Sequence, residues 1–187
     1  MSLILMGKAA SGKDTVKNEL VKKHGLHSIV TYTNRPMRDG EIPDVTYHYI
    51  TKDDFLEKIE NGFFAEWKKY DVNDEVWYYG SAKEDLLNAD DNTVIILTPD
   101  GVRDIKKNEI ESIVIYLYAN LTTIKKRLES RNDKNDKSEN RIKRDIRDFK
   151  DADLLADRIV YNNLNDDIDK VVANVLFHYR KANNEKW

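Results

Sequence analysis

The feature that most constrains this chain is the segment GKAASGKDT at residues 7–15, which follows the apolar run LILM at residues 3–6. The spacing G-x-x-x-x-G-K, between a predicted strand and a predicted helix, is typical of a phosphate-binding loop. Gly7 and Gly12 permit backbone angles that let successive N–H groups point into one concavity. The following helix directs its positive dipole end to the same place, and Lys13 adds a full positive charge. The segment therefore predicts a strand, a phosphate loop and a helix within an α/β fold.

One loop position departs from the usual pattern. Asp14 follows the lysine, where such loops usually carry a serine or threonine that binds Mg²⁺, and Thr15 comes one place later. The magnesium ligand is therefore left open between these two residues. We expect the loop to bind the phosphates of a nucleotide through Gly7, Ala9, Ala10, Ser11, Gly12, Lys13, Asp14 and Thr15.

Length and composition restrict the class of protein. With 187 residues, the chain is long enough for one well-buried domain and too short for two of ordinary size. A net charge of -3 provides no global positive field that would attract nucleic acid or an anionic membrane. The lack of cysteine excludes disulfides and fits a reducing compartment, and no apolar run approaches membrane-spanning length. The first strand begins too early for a signal peptide. We therefore expect a cytoplasmic protein with no nucleic-acid or membrane partner.

The order of apolar and polar segments predicts the topology. Outside residues 32–81, short apolar runs alternate with amphipathic helical segments, which indicates a parallel sheet with helices on its faces. Local signals place helix ends at Gly25, at the capping-box pattern of Ser81 and Glu84, and at Thr122 as an N-cap. Residues 32–81 instead suggest a strand, a short helix and a hairpin. We expect these residues to form an antiparallel insertion.

Two arginines in the inserted region are candidates for phosphate binding. Arg35 and Arg38 flank a proline-containing turn, and two guanidinium groups held this close can bind one phosphate from two sides. Tyr47 and Tyr79 are possible further O–H donors. Taken alone, the arginine pair is more typical of ordinary surface charges.

Several motifs of the inserted region together resemble the GMP-binding region of guanylate kinases. They are TYTNRPMRDGE at residues 31–41, Tyr47, FAEW at residues 64–67 and YYGS at residues 78–81. Order and separations match the family, apart from a slightly longer hairpin before Tyr78. The phosphate loop, a basic arm and Asn162 after the last strand extend the resemblance over nearly the whole chain.

The resemblance implies a three-layer phosphate-loop fold with a central five-stranded parallel sheet and a single domain. A core of residues 1–31, 82–121 and 149–187 would carry an inserted mixed α/β region that binds the nucleoside monophosphate, at residues 32–81. A helical lid would occupy residues 122–148. The implied cofactors and partners are ATP, Mg²⁺ and GMP or dGMP, and the sequence indicates no oligomeric state.

The resemblance also implies roles for individual acceptor-site residues. The phosphate of GMP would be held by Arg35, Arg38, Tyr47 and Tyr79. Glu66 would accept hydrogen bonds from the guanine N1–H and 2-amino group, with Thr31 and Ser81 at the base edge. A carboxylate suits guanine because its two oxygens match two adjacent donors, whereas adenine offers neither of these donors.

For the transfer itself, the resemblance implies a set of cations and a triphosphate site. The catalytic residues would be Lys13 and Arg38 together with the lid arginines Arg127, Arg131 and Arg141, and Asn162 would contact ATP. Phosphoryl transfer of this type needs no general base, because the attacking phosphate oxygen is already deprotonated near neutral pH. It needs in-line positioning, cations on the developing charge and exclusion of water.

Two positions after the insertion differ from the family pattern and keep alternatives open. Ile96 and Thr98 stand where guanylate kinases usually carry acidic residues, and Asp100, two residues later, joins Asp14 and Thr15 as a candidate metal ligand. One alternative is a phosphate-loop kinase for a different nucleoside monophosphate or another small phosphorylated acceptor. The other is a catalytically inactive guanylate-kinase-like interaction module, which would have no need of phosphate contacts.

Overall fold

The structure is a computed structural model that describes residues 1–72, 75–131 and 138–184, without the side chains of residues 131 and 138–141. The side chains of Arg131 and Arg141, two of the predicted lid arginines, therefore lie outside the described part of the chain.

The described residues contain nine strands and eight helices. The strands are β1 (Ser2–Met6), β2 (His27–Ser28), β3 (Tyr32–Thr33), β4 (His48–Tyr49), β5 (Phe64–Val72), β6 (Glu75–Ala82), β7 (Thr93–Leu97), β8 (Ser112–Tyr118) and β9 (Arg158–Tyr161). The helices are α1 (Lys13–His24), α2 (Lys52–Glu60), α3 (Lys83–Leu87), α4 (Pro99–Lys107), α5 (Leu121–Arg131), α6 (Ser138–Asp148), α7 (Ala152–Leu155) and α8 (Ile168–Asn184). Among the described helices, none is long and apolar enough to cross a membrane.

The larger sheet has the order β2-β7-β1-β8-β9, and all of its strand pairs are parallel. Its central strand, β1, is buried along its whole length. Successive side chains of a strand point to opposite faces, so Leu3 and Leu5 pack with α1 and α8, while Ile4 and Met6 pack with α4. Because both faces are covered, β1 is apolar without alternation. The predicted three-layer fold with a five-stranded parallel sheet is confirmed.

The smaller sheet has the order β4-β3-β6-β5 and is built from residues 32–82. The predicted hairpin is present as β5 and β6, which pair antiparallel. β3 and β4 pair in parallel, so the expectation of a purely antiparallel region is wrong and the region is mixed. Its own core lies under α2, where the Phe55 ring stacks on Phe64 and Tyr78 at centroid distances of 4.4 and 5.4 Å.

The predicted capping box at Ser81 is wrong. Ser81 lies within β6, and its hydroxyl donates to Glu66 instead of capping α3. The helix α3 begins after Ala82 without a side-chain cap. A capping box does occur at α2, where Thr51 and Asp54 bond each other's backbone N–H groups. The hydroxyl of Ser81 is thus used by Glu66, its partner on the neighbouring strand, and not by a helix end.

Two other helix ends test the local signals. Gly25 ends α1 in the left-handed conformation at φ 73°, as predicted, and its N–H donates to the carbonyl of Leu20. The predicted N-cap Thr122 instead lies inside α5. The cap is Asn120, whose side-chain oxygen accepts the N–H of Thr123 at 2.8 Å.

Candidate nucleotide site

A cleft of about 350 Å³ lies where the carboxyl ends of β1 and β7 meet the smaller sheet and α6. It brings together predicted residues from the phosphate loop and the inserted region: Gly7, Ala9, Lys13, Asp14, Thr31, Arg38, Tyr47, Glu66 and Tyr79. The carboxyl ends of parallel strands are the usual place for a ligand in open α/β sheets.

The phosphate loop is held tightly by its surroundings. A Cβ at Gly7 would lie 2.5 Å from the hydroxyl of Ser11, and one at Gly12 would lie 2.3 Å from the side-chain nitrogen of Asn162. Gly12 also takes a φ of 94°, which favours glycine. Both positions of the loop pattern therefore require a residue without a side chain.

The far side of the loop is fastened by Arg127. Its guanidinium donates to the carbonyls of Ala10 and Ser11, each at 3.2 Å, and also to the side-chain oxygen of Asn162. Asn162 in turn donates to the carbonyl of Ser11 at 2.8 Å. These contacts hold the loop against the end of β9, beside a second depression of about 260 Å³ that Thr15 also lines.

On the cleft side, one backbone N–H group of the loop already donates a hydrogen bond to a carboxylate of the chain. Asp145 of α6 accepts a hydrogen bond from the backbone N–H of Ala9 at 2.7 Å. The positive charges of Lys13 and Lys8 attract its carboxylate. Burial raises the pKa of this carboxyl. The loop therefore binds an anionic oxygen from its own chain in the way that it would bind a phosphate oxygen.

Glu66 is the buried carboxylate of the acceptor side, with 8% of its surface exposed. The hydroxyl of Ser81 donates to one of its oxygens at 2.5 Å, and the other packs against Gly101. Burial raises the pKa of Glu66 to about 7, although the Ser81 hydrogen bond and the charge of Lys68 act in the opposite direction. Near neutral pH this group therefore titrates between a carboxyl and a carboxylate.

The two arginines of the turn have different surroundings. Arg35 is buried, does not line the cleft, and forms a two-pronged ion pair with Glu41. The same carboxylate accepts the backbone N–H of Arg38 and the hydroxyl of Tyr49, each at 2.7 Å. Although burial opposes it, this set of donors lowers the pKa of Glu41 to about 2. Arg35 thus fixes the turn that presents Arg38 to the cleft, and its own contact with a phosphate stays a prediction.

Two tyrosines stand beside Arg38 in the cleft. The rings of Tyr47 and Tyr79 meet edge to face at 5.9 Å, and the guanidinium of Arg35 lies 5.1 Å from the Tyr47 ring centre. Burial raises the pKa of Tyr47 to about 12 and raises that of Tyr79 as well. Both hydroxyls therefore keep their protons and can donate to an anion.

The three predicted metal ligands do not line one common pocket. Asp14 lines the cleft, Thr15 lines the depression behind the loop, and Asp100 lines neither. The carboxylate of Asp100 instead accepts hydrogen bonds from Lys68 at 2.8 Å and from Arg103 at 2.7 Å. Within the described residues, no group of three or more histidine and acidic side chains could hold a metal ion. Asp14, an oxygen ligand of the type that Mg²⁺ prefers, fits the role best by its place in the cleft.

Comparison with known proteins identifies the family to which the chain belongs. A family model for guanylate kinase matches residues 1–179. The chain belongs to the guanylate kinase family.

Individual guanylate kinases match parts of the chain. That of Bdellovibrio bacteriovorus is 28% identical over 137 residues, which cover 71% of this chain and 72% of that protein. That of Wolinella succinogenes is 40% identical over 89 residues, which cover 46% and 39%, and that of Oceanobacillus iheyensis is 32% identical over 133 residues, which cover 68% and 63%. The crystal structure of guanylate kinase from Anaplasma phagocytophilum matches with a TM-score of 0.70 at 19% identity, over 97% of this chain and 85% of that one. This last likeness concerns the fold.

Sequence reasoning missed three side chains that the fold brings into the cleft of this guanylate kinase family member. They are Lys68 of β5 and Asp145 and Asp148 of α6. Lys68 follows Glu66 by two residues, and strand alternation alone would have placed both on one face. Arg144, which the resemblance places near the lid arginines, also lines the cleft. No local signal indicates that Asp145 would reach the loop.

Proposed function

We propose that this protein transfers the γ-phosphoryl group of ATP to GMP or dGMP, giving ADP and GDP or dGDP. The observation that carries the proposal is that the phosphate loop and the buried carboxylate of Glu66 line the same cleft. A phosphate-binding backbone and a base-reading side chain on one cavity suit a reaction between a triphosphate and a nucleoside monophosphate. Membership of the guanylate kinase family supports the choice of guanine.

At the acceptor end, Glu66 accepts hydrogen bonds from the N1–H and 2-amino group of guanine, with Thr31 and Ser81 at the base edge. The phosphate of the acceptor is held by Arg35, Arg38, Tyr47 and Tyr79, which provide two cations and two protonated hydroxyls. These contacts are charge-assisted, and the cleft wall reduces their screening by water.

At the donor end, the loop N–H groups and Lys13 bind the outer phosphates, and the nucleoside lies towards Asn162. Mg²⁺, when bound with the triphosphate, neutralises part of its charge, and Asp14 is the residue we expect to support it. The cations of the transfer step are Lys13 and Arg38, together with Arg131 and Arg141 from the proposed lid at residues 122–148. Arg127, the third proposed lid arginine, holds the loop backbone from its far side. The acceptor region at residues 32–81 and the core complete the proposed division, and we expect the enzyme to act in the cytoplasm.

A coupled assay of ADP release with ATP and Mg²⁺, run across the ribo- and deoxyribonucleoside monophosphates, tests the proposal. We expect turnover with GMP and dGMP far above that with AMP, CMP or UMP. Turnover with another monophosphate in place of GMP would favour a kinase for a different acceptor, which the apolar Ile96 in the cleft would permit. A lack of turnover with every acceptor, together with no ATP binding by calorimetry, would favour an interaction module.

A further inference from the structure

Lys68 lies in the cleft and joins three parts of the fold. It follows Glu66 by two residues on β5, and both side chains line the cleft. Its ammonium nitrogen lies 2.8 Å from an oxygen of Asp100 on α4 and 3.1 Å from an oxygen of Asp148, the last residue of α6. One cation therefore connects the strand that carries Glu66 with the core and with α6.

The burial of this contact sets it apart from other ion pairs in the same hairpin. The side chains of Lys68 and Asp148 are only 18% and 14% exposed, so solvent and salt screen their attraction weakly. The adjacent Lys69 pairs with Asp71 at 3.2 Å, but these side chains are 48% and 77% exposed. Exposed pairs contribute little. Lys69 is therefore a matched control for Lys68.

The helix α6 is attached to both halves of the cleft. At the donor half, Asp145 accepts the N–H of Ala9 in the phosphate loop. At the acceptor half, Asp148 pairs with Lys68. Between these contacts α6 presents Arg144 to the cleft, with its guanidinium 5.7 Å from the ring centre of Tyr70. Removal of Lys68 would break the ion pair between α6 and the acceptor strand and leave the contact with the loop in place.

We propose that Lys68 is a positioning residue, which holds α6 against the acceptor strand so that the two nucleotides are aligned in a single arrangement. The inference rests on the proposed function, in which one cleft binds ATP and GMP together. Lys68 acts through Asp148 and contacts neither reacting atom. Alignment of the phosphates and exclusion of water both depend on this arrangement, and small misplacements of reacting groups slow transfer strongly.

Steady-state kinetics test the role directly. For Lys68→Met we expect kcat to fall about tenfold and the KM for GMP to rise about threefold. The Kd for ATP alone should stay within about twofold, because the phosphate loop is untouched. Lys68→Arg keeps the charge and should recover most of the activity, and Lys69→Met should match the wild type. Asp148→Asn should resemble Lys68→Met, and the double variant should be no worse than Lys68→Met, because the second change removes a contact that the first has already broken.

Hydrogen exchange at the amides of residues 142–148 provides a readout that does not depend on turnover. We expect these amides to exchange several-fold faster in Lys68→Met and Asp148→Asn than in the wild type or Lys69→Met. Unchanged exchange in both variants would reject the proposal, and so would multiplied kinetic effects in the double variant. A wild type that does not phosphorylate GMP would overturn the proposed function, and exchange at α6 would still decide the role of Lys68.

Discussion

The two halves of the cleft are built in opposite ways. The donor half is one continuous segment, residues 7–15, which offers backbone N–H groups and, from its two lysines, Lys13 to the cleft. The acceptor half consists of single side chains from a mixed sheet, a turn and a hairpin, with Glu66 and Arg38 on different elements. Binding in the donor half therefore depends on the backbone conformation of the loop, whereas binding in the acceptor half depends on which side chains are present.

This difference separates binding strength from selectivity. Backbone amides recognise an anion whatever nucleoside carries it, so a change in the loop should affect every acceptor equally. A carboxylate such as Glu66 reads the donors of one base edge, so its loss should affect guanine alone. Variants on the two sides should therefore fall into two kinetic classes.

The largest effect is expected at Lys13. Lys13→Met removes the cation that we propose faces the transferred group, and we expect kcat to fall about 10²–10³-fold with every acceptor that the wild type uses. Single-turnover rates with GMP and dGMP measure this. Lys22→Met, on the exposed face of the same helix, should behave as the wild type. A loss confined to one acceptor would contradict the proposed separation.

The next largest effect is expected at Glu66. Glu66→Gln leaves one acceptor oxygen and places an amide donor against the guanine donors, so kcat/KM for GMP should fall about 100-fold. ATP binding, followed by calorimetry, should stay unchanged. Glu60→Gln, an exposed glutamate on α2 of the same region, is the control. Should Glu66→Gln use GMP normally, guanine recognition would have to lie elsewhere.

A pH effect of intermediate size follows from the same carboxyl. Because burial raises the pKa of Glu66 to about 7, the group is mostly protonated at pH 6 and mostly ionised at pH 8. Only the ionised form accepts both guanine donors, so the KM for GMP should fall about tenfold as the pH rises across this interval. The phosphate of GMP titrates in both enzymes, so Glu66→Gln isolates the part due to the side chain. A wild-type profile that parallels the Glu66→Gln profile would refute the assignment.

The smallest effect is expected at Asp145, the one residue outside the loop whose carboxylate accepts a hydrogen bond from a loop N–H group among the contacts described above. Asp145→Asn keeps an oxygen near Ala9 and removes a negative charge that repels phosphate, so ATP should bind about threefold more tightly. Calorimetry with and without Mg²⁺ measures the change, and the exposed Asp153→Asn is the control. Weaker binding only in the presence of Mg²⁺ would instead assign Asp145 to the metal.

Sequence reasoning located the donor half better than the acceptor half. The loop pattern, the helix end at Gly25 and the parallel direction of the central sheet follow from local apolar runs and glycine spacing, which need no knowledge of distant partners. At Ser81 the same local reasoning failed. The pattern is typical of a helix cap, but the Ser81 hydroxyl donates instead to the buried carboxylate of Glu66 on the neighbouring strand, 15 residues away in sequence.

By itself, the sequence determined the alternation of strands and helices in the core, the phosphate loop and the family, because each is encoded in contiguous residues or in motifs of regular spacing. The short elements β3 and α7 carry no such signal. Only the tertiary structure decided that Arg35 supports the turn through Glu41, and that Lys68 and Asp145 enter the cleft. The contacts of Lys68 with Asp148 and of Ala9 with Asp145 join residues 80 and 136 positions apart. Contacts of that separation depend on how the sheets and α6 pack, and no local pattern encodes them.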